Sequence, residues 1–164
     1  MNSLSPDWQN FFSAELGALA TLTGLVVVAI SINLSRILTV VNLPSRAGES
    51  LVMLVGALVI VSAALAPNQP PILLGAEISL IGLVTFIAPA TNQIRLWTLL
   101  EGVTPAKQYV RLAITSIASL PFVVAGAYLI CGVDGAFYWV AVGVIVSLVA
   151  GVWNSWILLI EILR

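Results

Sequence analysis

The chain has 164 residues and a net charge of -1; 60% of its residues are hydrophobic and only 8% are charged. With a mean hydropathy of +1.12 this is far from a soluble globule and indicates a single integral membrane domain of the all-α class. The near-zero charge excludes a nucleic-acid partner, the lone Cys131 excludes an intrachain disulfide or thiolate cluster, and the lack of histidine removes the commonest metal ligand and general base, so no cofactor or metal is expected.

A bilayer core takes about 20 apolar residues to cross as a helix. Five stretches qualify, roughly 8–34, 47–66, 72–94, 107–131 and 136–162, and predict an antiparallel bundle of five transmembrane helices. Ser5-Pro6-Asp7 opens the first with a capping hydroxyl, a proline in the first turn and an acid at the positive end of the helix dipole. No Lys or Arg precedes it, unlike a secretory signal, so this segment is expected to be retained. At about 100° per residue, Ala14, Gly17, Thr21, Gly24 and Ser31 share one arc, with Glu15 and Asn33 opposite. A helix with polar groups on both sides gives neither side wholly to lipid, which places it in the middle of the protein. Thr21, Gly24 and Ser31 then line a pore if several copies surround an axis, or serve close helix packing; Asn33 caps the helix or joins a selectivity ring.

Pro44-Ser45, Pro67-Asn68-Gln69-Pro70-Pro71, Thr104-Pro105 and Gly132-Val133-Asp134-Gly135 separate the later spans. Arg46 and Glu49 are spaced to pair on one face of the second span, worth a few tenths of a kcal/mol. Glu77 in the third span and Glu15 in the first fall at nearly the same depth, about 8–10 Å from one end. Two carboxyls at one level in low dielectric do not both ionise cheaply, so they are candidates to share a proton or bind a cation. The alternative is that each reaches the interface or bonds a neighbouring hydroxyl, Ser13 or Ser79. Pro89 and Pro121 interrupt the third and fourth spans and free the carbonyls of Thr85 and Ile117. Beside Thr115, Ser116 and Ser119 these carbonyls line a hydrated path in one reading and mark ordinary proline kinks in the other. The fifth span carries Gly143, Ser147, Gly151 and Ser155, a ridge of small residues at every fourth position that lets two helix backbones approach, within the chain or between subunits.

With five spans all six basic residues, Arg36, Arg46, Arg95, Lys107, Arg111 and Arg164, fall on one side. The positive-inside rule then puts the N-terminus outside and the C-terminus in the cytoplasm, with the basic residues as topology and headgroup anchors. Aromatics agree: Trp8, Phe11, Phe12, Tyr128, Phe137, Tyr138 and Trp139 map to the outer edge, and Trp97, Tyr109, Trp153 and Trp156 to the inner. No P-loop, metal-ligand cluster, nucleophile with a histidine partner or dinucleotide fingerprint is present, so an enzyme is not expected.

The stretches WxxFF, GALATLTGLVVVAISINLSRIL, LPSRAGESLVML and LAPNQPPILLGAEISLIG together resemble a family of small bacterial membrane proteins, some labelled modulator of FtsH protease. The resemblance covers about the first half of the chain, puts Ser31, Asn33, Arg46, Glu49 and Glu77 on motif positions, and implies a bacterial inner membrane without bringing a mechanism. ATLTGLVVVAISINL is also similar to the pore helix of Orai calcium channels, although Orai has four spans and its selectivity carboxylate has no match at Ile32 or Asn33. Two readings follow. One is an oligomeric channel or permease for a small cation or proton, with Glu15 and Glu77 at its outer mouth; the other is a non-transporting accessory subunit that packs on a larger membrane complex through its fifth span.

The orientation is directly testable. With Cys131 replaced, a cysteine at Asn68 is expected to react with an impermeant thiol reagent added to intact cells, and one at Asn42 is not. Labelling at Asn42 from outside would reverse the assignment.

Overall fold

The computed structural model describes residues 4–40, 43–99 and 105–163, with the side chains at 96–99, 105–108, 158–159 and 161–163 outside the description. Asn42, Trp97, Thr104, Lys107 and Arg164, named above, lie outside it in whole or in their side chains. The described residues form six helices: α1 Pro6–Ile32, α2 Leu34–Thr39, α3 Leu43–Ala64, α4 Pro71–Leu99, α5 Pro105–Cys131 and α6 Ala136–Leu163. All but α2 are long and apolar enough to cross a membrane, which fits a multi-pass membrane protein.

Boundaries follow local chemistry. Ser5 occupies the N-cap of α1, but its hydroxyl makes no capping bond; Gln9 Nε2 reaches back to donate to the Leu4 carbonyl at 3.1 Å, which ties the preceding backbone to the first turn. Asn33 closes the other end, its Nδ2 donating to the Ala29 carbonyl at 2.9 Å, and the chain turns there into α2. Pro44 does not break the chain as expected. It lies in the first turn of α3, where the missing N–H has no intrahelical acceptor to lose, so that helix starts at Leu43 rather than 47. Gly132 and Gly135, at φ +67° and +92°, and Asn68, at φ +57°, supply the left-handed residues that the short connections need.

The central helix is α3, not the first. In its apolar window 56% of residues are buried, against 11% for α1, and α3 packs on α1, α2, α4, α5 and α6. α1 lies at the edge against α3 and α6 and gives the bundle only a heptad stripe of fully buried residues, Phe12, Leu19 and Val26. Its arc of Ala14, Gly17, Thr21, Gly24 and Ser31 points away and is exposed. The expectation of a central helix fails for a local reason. Thr21 Oγ1 and Ser31 Oγ donate to the carbonyls of Gly17 and Val27, four residues back, at 2.8 and 2.7 Å, so the hydroxyls are satisfied without any neighbouring helix.

Small residues set how closely the other helices approach. A Cβ on Gly75 would stand 2.7 Å from the Gly126 carbonyl oxygen, and one on Gly126 would overlap Ser79 Oγ and the Gly75 carbonyl, so α4 and α5 touch backbone to backbone. Further along the same seam Phe122 of α5 fills the space left by two glycines. Its Cβ lies 2.9 Å from the position a Cβ would take on Gly82 of α4, and its ring 2.6 Å from that on Gly143 of α6. On α6 the ridge is covered by its own chain: Gly143 meets Phe122, Ser147 is buried, Gly151 would strike Leu54 of α3 at 2.6 Å, and Ser155 donates to the Gly151 carbonyl. Paired residues run in opposite order along α4 and α5, from Gly75 with Gly126 to Gln93 with Thr115, which makes the two helices antiparallel.

Gly126→Ala is therefore expected to lower the melting temperature in detergent, at a cost of about 1–3 kcal/mol, because the clash is with backbone that no rotamer change relieves. Gly24→Ala, which meets nothing within 4 Å, is expected to be neutral or slightly stabilising through helix propensity. Equal behaviour of the two variants would contradict the seam.

Candidate functional site

The two carboxyls singled out in the sequence are handled separately. Glu77 accepts a hydrogen bond from Gln69 Nε2 in the connection before α4, which holds it locally and not through Ser79. Glu15 lies on the bundle side of α1, partly buried, and its Oε2 has no hydrogen-bond partner among the described residues. The helices carrying them both pack on α3, but α1 otherwise packs on α6 and α4 on α5, and no hydrogen bond joins the two acids among the described residues.

The expected path-lining groups are also dispersed. Thr85 is buried between α3 and α4, its methyl pressed on Gly56 and its Oγ1 donating to the Gly82 carbonyl at 2.9 Å. Ser116 Oγ bonds the Leu112 carbonyl at 2.8 Å, and Ser119 is buried. Thr21, Gly24 and Ser31 lie on the outward arc of α1 and Asn33 at its cap. A groove of about 220 Å³ between α5 and α6 has no polar lining; Ile114, Ile117, Val149 and Trp153 are among its walls.

The polar groups that do converge are at the other end of the bundle, where α3 starts and α4 ends. Glu49 of α3 is 5% exposed, and Arg111 of α5, 21% exposed, meets it with Nη2 2.7 Å from Oε1. The same oxygen accepts from Ser45 Oγ at 3.2 Å, and Ser45 Oγ in turn accepts from Asn92 Nδ2 of α4 at 2.8 Å. Gln93 of α4, 3% exposed, donates through Nε2 to Glu49 Oε2 at 3.1 Å and to Thr115 Oγ1 at 3.2 Å. Thr115 passes its proton to the Arg111 carbonyl at 3.1 Å. Three helices thus surround one carboxylate with a guanidinium, a hydroxyl and an amide, and every Glu49 oxygen has a donor. Gln93 Oε1 is the exception in the cluster, buried with no donor among the described residues.

Glu49, Gln93 and Arg111 stand each about 9 Å inside their helix ends, six residues at 1.5 Å. Sequence spacing pointed Glu49 to Arg46, three residues away on one helix; the partner the fold adds is Arg111, 62 residues on. The signal that was passed over is the run Thr91-Asn92-Gln93 beside an apolar span, since a buried amide calls for a polar partner on another helix. Chemically the cluster holds a charge pair in place. Among the described residues no group of three or more His, Cys, Asp or Glu side chains is placed to hold a metal ion.

No family model, no curated protein and no solved structure matches this chain.

Two cycles of substitution, read as melting in detergent, separate these sites. Glu49→Gln and Arg111→Met are each expected to cost about 3 kcal/mol, because each leaves its partner unpaired, while the double variant costs clearly less than the sum. Glu15→Gln and Glu77→Gln are expected to add within about 0.5 kcal/mol. Non-additivity of the second pair would restore a shared carboxyl site.

Proposed function

We propose that the protein is a non-transporting accessory subunit of a larger membrane complex, resident in the bacterial inner membrane with its N-terminus outside and its C-terminus in the cytoplasm. The observation that carries this reading is the contrast between a closed interior and a small-residue face of α1 that its own chain leaves uncovered. The Trp8 end is closed by Trp8 stacked on Phe12, at 5.4 Å between ring centres, and edge-on to Tyr138 at 4.9 Å. The bundle below is filled by Phe12, Leu54, Phe122 and Val144, and the far end is tied by Glu49 and Arg111. A path through a single chain would have to open both closures. By contrast, α1 keeps Ala14, Gly17, Thr21, Gly24 and Ser31 outward, with nothing from its own chain against Gly17 or Gly24. Close-packing stripes of that kind join membrane helices, and the ridge on α6 is already taken by Phe122 and Leu54.

A second reading, the oligomeric channel or permease for a proton or small cation, draws on the same face: copies arranged about an axis with α1 inward would bring Thr21, Gly24 and Ser31 around a common lumen. A photo-crosslinking residue at Gly24, used in native membranes, distinguishes the two together with flux into proteoliposomes. The accessory reading expects an adduct with a different membrane protein, recovered with that protein as the bait, and no proton or cation flux from the purified chain. Adducts confined to multiples of the 17.3 kDa chain, with flux that Thr21→Val abolishes, would establish the channel instead.

A further inference from the structure

We propose that the Glu49 cluster is a releasable latch that holds the ends of α4 and α5 onto α3. Three features combine. The first is where the bonds go: Ser45 and Glu49 belong to α3, Asn92 and Gln93 to α4, Arg111 and Thr115 to α5, so the cluster is an interhelical tie and not a set of local caps.

The second is the position of the prolines. Pro89 interrupts α4 one turn before Gln93, and Pro121 interrupts α5 ten residues after Arg111. Each removes a backbone hydrogen bond from its helix, and helices bend at least cost where one is missing. α3 has no proline beyond its first turn and is the most buried of the spans, with neighbours in α1, α2, α4, α5 and α6, so it serves as the fixed post. The segments on the cluster side of the prolines, 90–99 of α4 and 105–120 of α5, are the ones the cluster pins.

The third is incomplete satisfaction. Gln93 gives both its amide protons to Glu49 Oε2 and Thr115 Oγ1, and its Oε1 is buried with no donor among the described residues. A buried acceptor without a donor raises the energy of the locked state, and swinging α4 outward exposes that oxygen to water at the bundle end. The pinned state is therefore held by the charge pair and opposed by the amide. Asn92 is exposed and Arg111 partly so, which makes them the members that a binding partner or water reaches first.

The test is a set of distances between spin labels on the full chain in lipid nanodiscs, with Cys131→Ser as background. Gly48→Cys on α3 paired with Ile94→Cys on α4, or with Val110→Cys on α5, reads the latched end; all three positions are exposed. Ser62→Cys paired with Leu73→Cys reads α3 and α4 at the opposite end. Glu49→Gln is expected to add a second, longer distance population to both latched-end pairs and to leave the opposite pair unchanged. The neutral double variant Glu49→Gln with Arg111→Gln removes the tie without leaving an unpaired charge, and the same result is expected. Ser45→Ala, which removes one donor and no charge, is expected to give the longer population in smaller amount and decides the matter if the charge variants do not fold. Single narrow distributions at the latched end in the variants, or equal broadening at both ends, would overturn the proposal.

Discussion

The carboxylate of Glu49 is the constraint from which most of this structure can be argued. It is held about 9 Å inside the end of α3 and is almost fully buried, where hydrocarbon or packed protein replaces the water that would solvate a charge. Transfer of an unpaired carboxylate into such surroundings costs several kcal/mol even after relaxation. The charge is tolerable because α4 and α5 bring a guanidinium and an amide to it, and α3 supplies a hydroxyl one turn earlier. That requirement fixes which helices stand next to α3 at this end. It also explains why α3, and not a more polar-looking helix, occupies the centre: the group with the most demanding solvation sits on the helix with the most neighbours.

The small residues make that meeting geometrically possible. α4 and α5 touch backbone to backbone where Gly75 faces Gly126, and Phe122 sets the next level by filling the gaps at Gly82 and Gly143. Two helices in backbone contact have few allowed registers, because a slip of one turn, about 5.4 Å, would put a Cβ where a carbonyl now lies. The same register delivers Thr115 to Gln93 and Arg111 to Glu49 on the far side of the seam. Glycine packing at one end and a charge pair at the other are thus two readings of one alignment. The double-substitution cycle at Glu49 and Arg111 reads the charge pair alone, since neither residue touches the glycine contact.

What could be read from the residues divides along the same line. Span number and approximate limits depend on hydropathy over about 20 residues, a local property, and the five long helices follow it. Helix ends were nearly as legible, since Asn33, Asn68, Gly132 and Gly135 act on their own backbone. The contact of Glu49 with Arg111 was not, because it depends on how three helices align, whereas the spacing of three to Arg46 is visible within one helix. The placement of α1 at the edge was illegible for the opposite reason. Thr21 and Ser31 look like groups in need of a neighbour, yet their own helix provides the acceptor, so their polarity carries no information about position.

The acids in this bundle are held in three different ways, and the differences bear on function. Glu77 is held by Gln69 eight residues away, which ties down a connection and leaves the helix packing unaffected. Glu15 sits on the bundle side of an edge helix, partly buried, with one oxygen unpartnered among the described residues. Glu49 alone joins three helices. A transport path along the axis of one chain would dismantle the third arrangement and displace Phe12 and Phe122, which no polar lining stands ready to replace. Engagement of α1 dismantles nothing, because its outward arc is already free of side chains that need moving and its hydroxyls already have acceptors. In energetic terms the outward face of α1 is therefore the surface of this chain that costs least to engage, and the proposed role as an accessory subunit rests on that difference.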